Sequence, residues 1–177
     1  MVFYMICDEV SQPMIKAIVC VDNNWAIGRE NNLLFHLPKD MNFFRITTDK
    51  KIVFCGRKTL DSFPGSKPLP KRSTICLCSP DNNRDDCYCV NSVEEATKLL
   101  CELGKTQDVW IIGGAKIYET FLPLCRQVHV TKVSADGNGT VFFPNLDEHK
   151  DFKCINKTAA IEDNGKFLTF CIYQRMK

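Results

Sequence analysis

The sequence predicts an α/β fold, with a mostly parallel sheet covered by helices on both faces and an antiparallel edge at its C-terminal end. Short apolar runs rich in β-branched residues alternate with helical segments through the first two thirds of the chain, which is the pattern of buried parallel strands and their crossover helices. An Asp-Asn-Gly turn at 163–165 precedes the last apolar run and signals a β-hairpin. The 177 residues are enough for one domain with a sizeable core.

Each element has a local reason in the sequence. Apolar runs predict strands at residues 15–21, 51–55, 73–78, 87–90, 108–112, 127–133 and 166–173. Helices are expected at residues 38–48, from about 57 to 62, at 92–104 and at 115–122. Pro38 marks the start of the first helix, and Ser92 with Glu95 forms a capping box. We expect residues 1–13 to be an extension, residues 14–177 to be the domain, and residues 22–36 to be a long polar loop that serves as a lid.

Charge and composition exclude several classes of function. The 23 Lys and Arg against 21 Asp and Glu give a net charge of +2, which is too small to indicate nucleic acid as a partner. The apolar start at residues 1–7 is short, lacks a basic flank and runs into Asp8, so it predicts neither a secretory signal nor a membrane span. We therefore expect a cytoplasmic protein that binds neither nucleic acid nor membrane.

The 11 cysteines are unusual in number, but their placement does not suggest a metal site. Cys76 and Cys78, like Cys87 and Cys89, are two residues apart in strand-like runs. Zinc sites usually use a Cys-x-x-Cys spacing with a second ligand pair. The odd count and the absence of a signal peptide favour reduced, buried thiols that act as small hydrophobic side chains.

Asp40 lies at the start of the first helix among large apolar residues. Leu37, Phe43 and Phe44 are three or four positions away and therefore share its side of the helix. A carboxylate on an apolar face is costly unless a neighbour or a ligand pairs with it. An acid in the first turn also interacts favourably with the helix macrodipole, so a purely structural role for Asp40 is open at this point.

Two strand-to-helix turns carry glycine at the sheet edge where α/β folds bind ligands. They are Gly56-Arg-Lys-Thr59 and Gly113-Gly-Ala-Lys116. Glycine allows a ligand to approach the backbone closely, and each following helix directs free N–H groups toward the same edge. Arg57, Lys58 and Lys116 add cations that suit the extra phosphate of NADP. The alternative is that the glycines serve only helix–strand packing and that the cations are solvated.

Two further polar residues have positions suited to a site. Arg72 follows a Pro-Leu-Pro loop and is able to clamp a carboxylate with two parallel hydrogen bonds. Thr131 lies inside an otherwise apolar strand, where its hydroxyl is able to donate to a buried acid. An exposed arginine and an ordinary strand threonine are the alternatives.

Together these stretches resemble the dihydrofolate reductase family from Met14 onward. The matching motifs, in order, are Ala26-Ile-Gly28 with Asn31-Asn-Leu33, Leu37-Pro-Lys-Asp40 with Phe44, Gly56-Arg-Lys-Thr59, Pro68-Leu-Pro-Lys-Arg72, Ile111-Ile-Gly-Gly114 with Tyr118, Thr131, and Phe143-Pro144. An aspartate at position 40 resembles the bacterial form of the family. The resemblance implies a dihydrofolate-reductase-like fold with a central sheet of about eight strands.

The resemblance also implies NADPH-dependent reduction of 7,8-dihydrofolate to 5,6,7,8-tetrahydrofolate, by hydride transfer to C6 and protonation of N5. It implies a monomer that binds dihydrofolate and antifolates. Asp40 would bind the 2-amino group and N3 of the pterin with support from Thr131, and burial should raise its pKa. Arg72 would bind the glutamate α-carboxylate. The implied substrate-binding residues are Ile18, Asp40, Phe44, Phe63, Leu69, Arg72, Ile112 and Thr131. The implied NADPH-binding residues are Cys20, Ile27, Gly28, Gly56, Arg57, Lys58, Thr59, Cys78, Ser79, Gly113, Gly114, Ala115, Lys116, Ile117 and Tyr118, with Gly113 and Gly114 joined by a cis peptide.

The chain departs from the family pattern just before the first helix. The family usually has Pro-Trp there, whereas this chain has Leu34-Phe35. The family's tryptophan helps to order a water near the acid and packs on the substrate. Phe35 keeps an aromatic ring without the indole donor. We expect Phe35 to act with Asp40 and Thr131 as a catalytic residue, in an enzyme with altered turnover or inhibitor binding.

Two other functions are open from the sequence. One is a reductase of the same fold that acts on a ribosylaminopyrimidine in riboflavin synthesis. The other is a non-catalytic protein that binds folate or a nucleotide. Arg72 after its Pro-Leu-Pro loop and Asp40 after Leu37-Pro38 favour folate over the first alternative.

Overall fold

The computed structural model describes residues 14–30 and 32–176, and the predicted extension at residues 1–13 lies outside them. The strands are β1 (Ile15–Val21), β2 (Ala26–Gly28), β3 (Ile52–Gly56), β4 (Ser73–Leu77), β5 (Tyr88–Val90), β6 (Val109–Gly113), β7 (Gln127–Val133), β8 (Val141–Phe142), β9 (Phe152–Lys157), β10 (Ile161–Asp163) and β11 (Lys166–Arg175). The helices are α1 (Pro38–Thr47), α2 (Arg57–Asp61), α3 (Val93–Gly104) and α4 (Ala115–Phe121). Every strand and helix predicted from the sequence is present, with ends that differ by one or two residues.

Nine strands form the main sheet of the described residues, in the order β10-β11-β7-β1-β6-β3-β4-β5, with β9 also paired to β11. Six neighbouring strands are parallel, in the order β7-β1-β6-β3-β4-β5. Strand β11 is antiparallel to β7, β9 and β10. The predicted architecture is therefore confirmed. The sheet exceeds the expected eight or so strands because both β9 and β10 extend its antiparallel end.

Two apolar clusters fill the space between the sheet and its helices, one on each face. The first joins Leu100 of α3 and Phe121 of α4 to Phe54 of β3. The second contains Leu60 of α2, with Phe44 of α1 packed against it. Each fully buried Leu or Phe contributes about 1.5–3 kcal/mol to stability. Because α2 and α4 lie on opposite faces, the order of connection reverses between β3 and β6, and their carboxyl ends form the switch point where ligands bind in such sheets.

The segment at residues 22–36, called the lid segment below, was expected to be a loop throughout, and that expectation is wrong for β2. This short strand pairs with β8 in a separate two-stranded sheet, with Ala26 opposite Phe142 and Gly28 opposite Val141. Three residues are too few to show strand periodicity in the sequence, and their partner lies more than a hundred residues away. The lid segment is therefore held by backbone hydrogen bonds along part of its length.

Several cysteines line one face of the sheet, in register on neighbouring strands. Cys76 pairs with Cys55 on one side and with Cys89 on the other, and the Sγ atoms of Cys87 and Cys89 are 3.9 Å apart. Burial raises the pKa of the Cys87 thiol to about 12, so this thiol is neutral and unreactive near pH 7. The described residues contain no cluster of three or more groups placed to bind a metal ion.

The expectation that the cysteines are buried is wrong for Cys154, which is exposed. Cys154 lies on β9, an outer strand whose residues after Phe152 are all exposed. No helix within the described residues is long and apolar enough to cross a membrane.

The C-terminal hairpin has the geometry that its turn sequence predicts. Asp163 pairs with Lys166 across a two-residue turn. Asn164 and Gly165 have φ angles of 49° and 76°. Positive φ at both central residues is the requirement of a type I′ turn, and Asn-Gly meets it with little strain. The turn thereby fixes the register of β10 against β11.

We expect Gly165→Ala to lower the free energy of unfolding by about 1–2 kcal/mol, because an L-residue in the left-handed region carries that cost. No atom lies within 4 Å of an added Cβ at this position, so backbone strain alone sets the effect. Urea denaturation measures it. Gly65→Ala is a matched control, with a φ of 65° and equally open space. A loss in the control with no loss for Gly165→Ala would contradict the assigned turn.

Candidate active site

The two glycine turns meet at the switch point between β3 and β6. Cys55 is paired with Gly113, and the Gly113–Gly114 peptide bond is cis, as the resemblance implies. A Cβ at Gly56 would lie 3.0 Å from Cγ1 of Ile117, and one at Gly114 would lie 3.3 Å from Oγ1 of Thr59. The glycines therefore allow the first turns of α2 and α4 to approach each other closely at the sheet edge.

The two helices that follow these turns both begin without a side-chain cap. Their first N–H groups are thus not occupied by a capping side chain, which is the arrangement that favours an anionic group at this edge. Behind the second turn, the Tyr118 hydroxyl donates to the Ile18 carbonyl at 2.7 Å. A Cβ at Gly113 would lie 3.1 Å from the Tyr118 ring. Tyr118 therefore supports the turn from within the core.

The predicted cations lie along this edge in two different settings. Lys58 and Lys116 are exposed. Arg57 donates through Nε to Asp61 at 2.8 Å and through Nη1 to the Asn82 carbonyl at 2.5 Å. This double anchoring holds the Arg57 guanidinium in one orientation.

Arg84 is a cation at this edge that sequence reasoning missed. Its guanidinium binds Asp86 at 2.5 Å and reaches Asp61 at 3.4 Å. It therefore shares an acidic partner with Arg57. Its position in a polar loop gave no sequence signal that would distinguish it from a solvated arginine.

The other residues implied for NADPH follow the same edge. Cys78 is buried just beyond the end of β4, and the exposed Ser79 follows it, with its hydroxyl accepting from Asn82 at 2.6 Å. Ala115 and Ile117 lie in the first turn of α4, and Ile27 and Gly28 lie in β2.

An apolar cluster gathers five residues implied for substrate binding from four separate parts of the chain. Ile18 and Ile112 are buried members of this cluster, and Phe44, Phe63 and Leu69 pack against it half-buried. They come from β1, β6, α1 and the segment between α2 and β4. The structure thus forms a partly open apolar wall beside the start of α1, suited to a flat aromatic ligand.

Asp40 is half-buried beside this wall. Burial raises the pKa of its carboxyl group above the ordinary value, as predicted, and the negative charge of Asp163 adds to the rise. The neighbouring Thr131 and Cys20 side chains, both possible donors, act in the opposite direction and lower the pKa of Asp40. The buried Thr131 hydroxyl has no hydrogen-bond partner among the described residues, so its donor is free to turn toward the acid. A favourable interaction with the helix macrodipole does not by itself explain why Asp40 lies beside Thr131 and Cys20.

Cys20, implied for the cofactor, also lies close to Asp40. It is paired in register with Thr131 on the adjacent strand, and both side chains interact with Asp40. Burial, followed by the charge of Asp40, raises the pKa of the Cys20 thiol well above its usual value. The thiol therefore stays protonated and able to donate. The alternation of β1, which puts Cys20 on the same face as Ile18, was the sequence signal for this placement.

Arg72 is fixed by three hydrogen bonds. Its Nε donates to Thr48 Oγ1 at 3.0 Å, and its two terminal nitrogens donate to the Pro70 and Arg45 carbonyls at 2.6 Å each. A guanidinium has five N–H donors, so one N–H on each terminal nitrogen is left over. Two such parallel donors match a carboxylate.

The lid segment is anchored to the loop at residues 134–140, called the glycine loop below. The Asp22 carboxylate accepts from the N–H groups of Asn24 and Ala26 within the lid segment, and from Gly137 of the glycine loop at 3.0 Å. The Thr140 N–H donates to the Gly28 carbonyl at 3.0 Å. Asp22 therefore ties the beginning of the lid segment to the glycine loop.

Leu34 and Phe35, where the chain departs from the family pattern, pack on the same loop. A Cβ at Gly137 would lie 2.9 Å from Leu34 and 3.0 Å from the Phe35 ring. The Lys166 ammonium lies 5.3 Å from the centroid of the Phe35 ring. These contacts place Phe35 between the glycine loop and the C-terminal hairpin, where it helps to hold the lid segment.

We expect Gly139→Ala to detach the lid segment from the glycine loop. An added Cβ would lie 2.4 Å from the Ala26 Cβ and 3.3 Å from the Gly28 carbonyl oxygen, so β2 has to move. Overpacking of this kind costs about 1–3 kcal/mol, measured by chemical denaturation, and proteolysis within the lid segment should become faster. The control is Thr140→Ala, which removes an exposed side chain from the next position. Equal protection of the lid in both variants would contradict this contact.

Known proteins are similar to this chain over nearly its full length. A family model described as dihydrofolate reductase matches residues 14–175. The dihydrofolate reductase of Staphylococcus haemolyticus is 34% identical over 166 residues, covering 92% of this chain and 96% of that protein. The dihydrofolate reductase of Neisseria meningitidis serogroup B is 35% identical over 164 residues, covering 91% and 98%.

A solved structure gives the same result for the fold. The dihydrofolate reductase of Enterococcus faecalis, in complex with NADP(H) and RAB-propyl, superimposes with a TM-score of 0.82 at 27% identity. The match covers 94% of this chain and 99% of that structure. Sequence, fold and the arrangement of the candidate site agree, and the chain belongs to the dihydrofolate reductase family.

Proposed function

We propose that Asp40 is the acid that binds the pterin and promotes its protonation in the reaction of this family. That reaction is the NADPH-dependent reduction of 7,8-dihydrofolate to 5,6,7,8-tetrahydrofolate, with hydride transfer to C6 and protonation of N5. The observation that carries the assignment is a half-buried carboxyl group beside an apolar wall, with a raised pKa. The two alternative functions considered from the sequence are not favoured by the family match.

Asp40 has the chemistry that the pterin requires. A carboxylate accepts two hydrogen bonds side by side, which matches the adjacent 2-amino and N3 donors of the ring. Ile18, Phe44, Phe63, Leu69 and Ile112 would exclude water around the ring. Because burial raises its pKa, Asp40 favours retention of a proton at the site and so supports protonation of N5.

Thr131 and Cys20 are assigned to orient Asp40. They lie on neighbouring strands, and both lower the pKa of the acid, so they would hold the carboxylate in place. In this assignment, Thr131 is part of the catalytic group, as the resemblance implies, and Cys20 acts beside it.

Arg72 is assigned to the α-carboxylate of the substrate's glutamate. Its three internal hydrogen bonds hold the guanidinium still. Less side-chain entropy is therefore lost when the carboxylate binds.

The residues at the glycine turns fit NADPH, which supplies the hydride when bound. Gly56, Gly113 and Gly114 have no room for a larger side chain, because an added Cβ would press on Ile117, Tyr118 or Thr59 and displace the turns that face the cofactor. We assign Arg57, with Arg84 beside it, to the charged end of the cofactor. Thr59 and the N–H groups at the start of α2 and α4 would bind its phosphates.

Phe35 is assigned a role in closing the lid segment over the reacting rings. Its ring is held against the glycine loop and Lys166. It lacks the indole donor of the family's tryptophan, so any water near Asp40 has one fewer partner. This is the part of the site where we expect turnover and antifolate binding to differ from the family.

We also infer a monomer in the cytoplasm with no nucleic acid partner. The net charge of +2 supports the last point, and the resemblance to the family supports the monomer. Light scattering of the purified protein tests the oligomeric state.

We expect Asp40→Asn to slow hydride transfer at pH 7 by roughly 10²- to 10⁴-fold, the range that general acid–base groups contribute. Dihydrofolate-dependent oxidation of NADPH in a single turnover measures the rate. In the parent protein, the rate should fall as the pH rises through the raised pKa of Asp40, because the proton is then lost. Glu94→Gln is the matched control, since Glu94 is a first-turn acid of α3. Absence of dihydrofolate-dependent oxidation in the parent, or an unimpaired Asp40→Asn variant, would overturn the proposal.

We expect Arg72→Lys to raise the KM for dihydrofolate roughly tenfold to hundredfold, because a charge-assisted pair is worth about 1.5–3 kcal/mol and lysine cannot form the bidentate contact. The KM for 7,8-dihydropteroate, which has the pterin without the glutamate, should not change. Lys71→Ala, at the exposed neighbouring position, is the control. An equal loss with both substrates would mean that Arg72 only supports α1.

A further inference from the structure

Asp163 is a buried carboxylate at the start of helix α1, far from it in sequence. Its Oδ2 accepts a hydrogen bond from the Lys39 N–H at 2.7 Å, across 124 residues of chain. The residue is only 5% exposed. Burial of a carboxylate is costly, so a position in a hairpin turn does not by itself explain why Asp163 is buried here.

Helix α1 has no cap of its own. Leu37 occupies the N-cap position and has no acceptor in its side chain, and Pro38 has no N–H to donate. The Lys39 N–H is therefore the first helical donor without a local partner. An N-cap Asp or Asn would normally accept from this position. Asp163 takes that role from the C-terminal hairpin.

Two neighbours of Asp163 hold the same part of the chain. The Lys39 ammonium donates to the Glu162 carbonyl at 2.6 Å, and the Asn164 side chain donates to the His36 carbonyl at 3.0 Å. The hairpin thus binds the residues on both sides of Leu37-Pro38. Asp40 lies in the same first turn, so this contact also fixes the position of Asp40.

We propose that Asp163 is a positioning residue for the reaction, which fixes the first turn of α1 and holds a second negative charge beside Asp40. The inference rests on the proposed function of Asp40. It adds a residue that neither touches the substrate nor belongs to the sequence motifs of the site. Its two effects, capping and charge, are separable by mutation.

The Lys39 ammonium, next to Asp40 in the chain, binds the Glu162 carbonyl, and three further groups near Asp40 are neutral near pH 7. Cys20 approaches from β1 and Thr131 from β7. Tyr118 of α4 also feels the charge of Asp40 and, like Cys20, has a pKa raised by burial. Asp163 is therefore the negatively charged neighbour among these groups. A second carboxylate nearby disfavours ionisation of Asp40, which raises the pKa of that acid.

The test separates charge from capping with three variants. Asp163→Asn and Asp163→Ser retain a capping acceptor and remove the charge, whereas Asp163→Ala removes both. The measured quantity is the pH dependence of hydride transfer in single turnovers. Loss of the charge lowers the pKa of Asp40, so the fall in rate should move to lower pH in all three variants. Only Asp163→Ala should also lower the melting temperature clearly. Glu162→Gln, in the same hairpin, is the control and should leave the pH profile unchanged.

A profile in Asp163→Asn and Asp163→Ser with the parent midpoint would overturn the inference, while an active parent and an impaired Asp40→Asn variant would leave the proposed function standing. A readout independent of activity is the carboxyl ¹³C shift of Asp40 in the ligand-free protein. Its titration should move to lower pH in Asp163→Asn. An unmoved titration contradicts the inference even if the protein does not turn over dihydrofolate.

Discussion

Burial of the Asp40 carboxyl group is the constraint on which the rest of the site depends. Water is replaced by an apolar wall on one side, so the charged form loses solvation and the acid holds its proton more tightly. Donors from β1 and β7 partly offset this cost, and the negative charge of Asp163 increases it. The pKa of Asp40 thus depends on the apolar wall, on donors from β1 and β7, and on Asp163 of β10. These parts of the chain meet only in the folded protein, so the pKa depends on each of them being held in place.

Most of the fold was predictable because its signals are local. The bounds of β1 and β7 follow from apolar runs with β-branched residues, and the turn between β10 and β11 follows from Asn164-Gly165 alone. The β2–β8 pair was missed because neither strand is long enough to show a pattern. Cys154 was misassigned because burial on an outer strand depends on which strands cover it, and pairing order is not encoded locally.

The site was predictable where residue type and place in a βα turn are enough. Gly56 and Gly113–Gly114 could be placed at one edge because parallel strands end together, and the structure brings them into contact through Thr59 and Ile117. The cap on Lys39 could not be found this way. Aspartate in a hairpin turn is common for local reasons, so nothing in the sequence around Asp163 distinguishes a turn residue from one that caps a helix 124 residues away.

The C-terminal hairpin contacts both the first turn of α1 and the end of the lid segment. Its Asp163 and Glu162 hold the first turn of α1, while Asn164 and Lys166 contact the end of the lid segment at His36 and Phe35. Leu34 and Phe35, which stand where the resemblance implies Pro-Trp, lie on a packing surface shared by the lid segment, the glycine loop and the C-terminal hairpin. The end of the lid segment and the first turn of α1 are therefore held by one and the same hairpin.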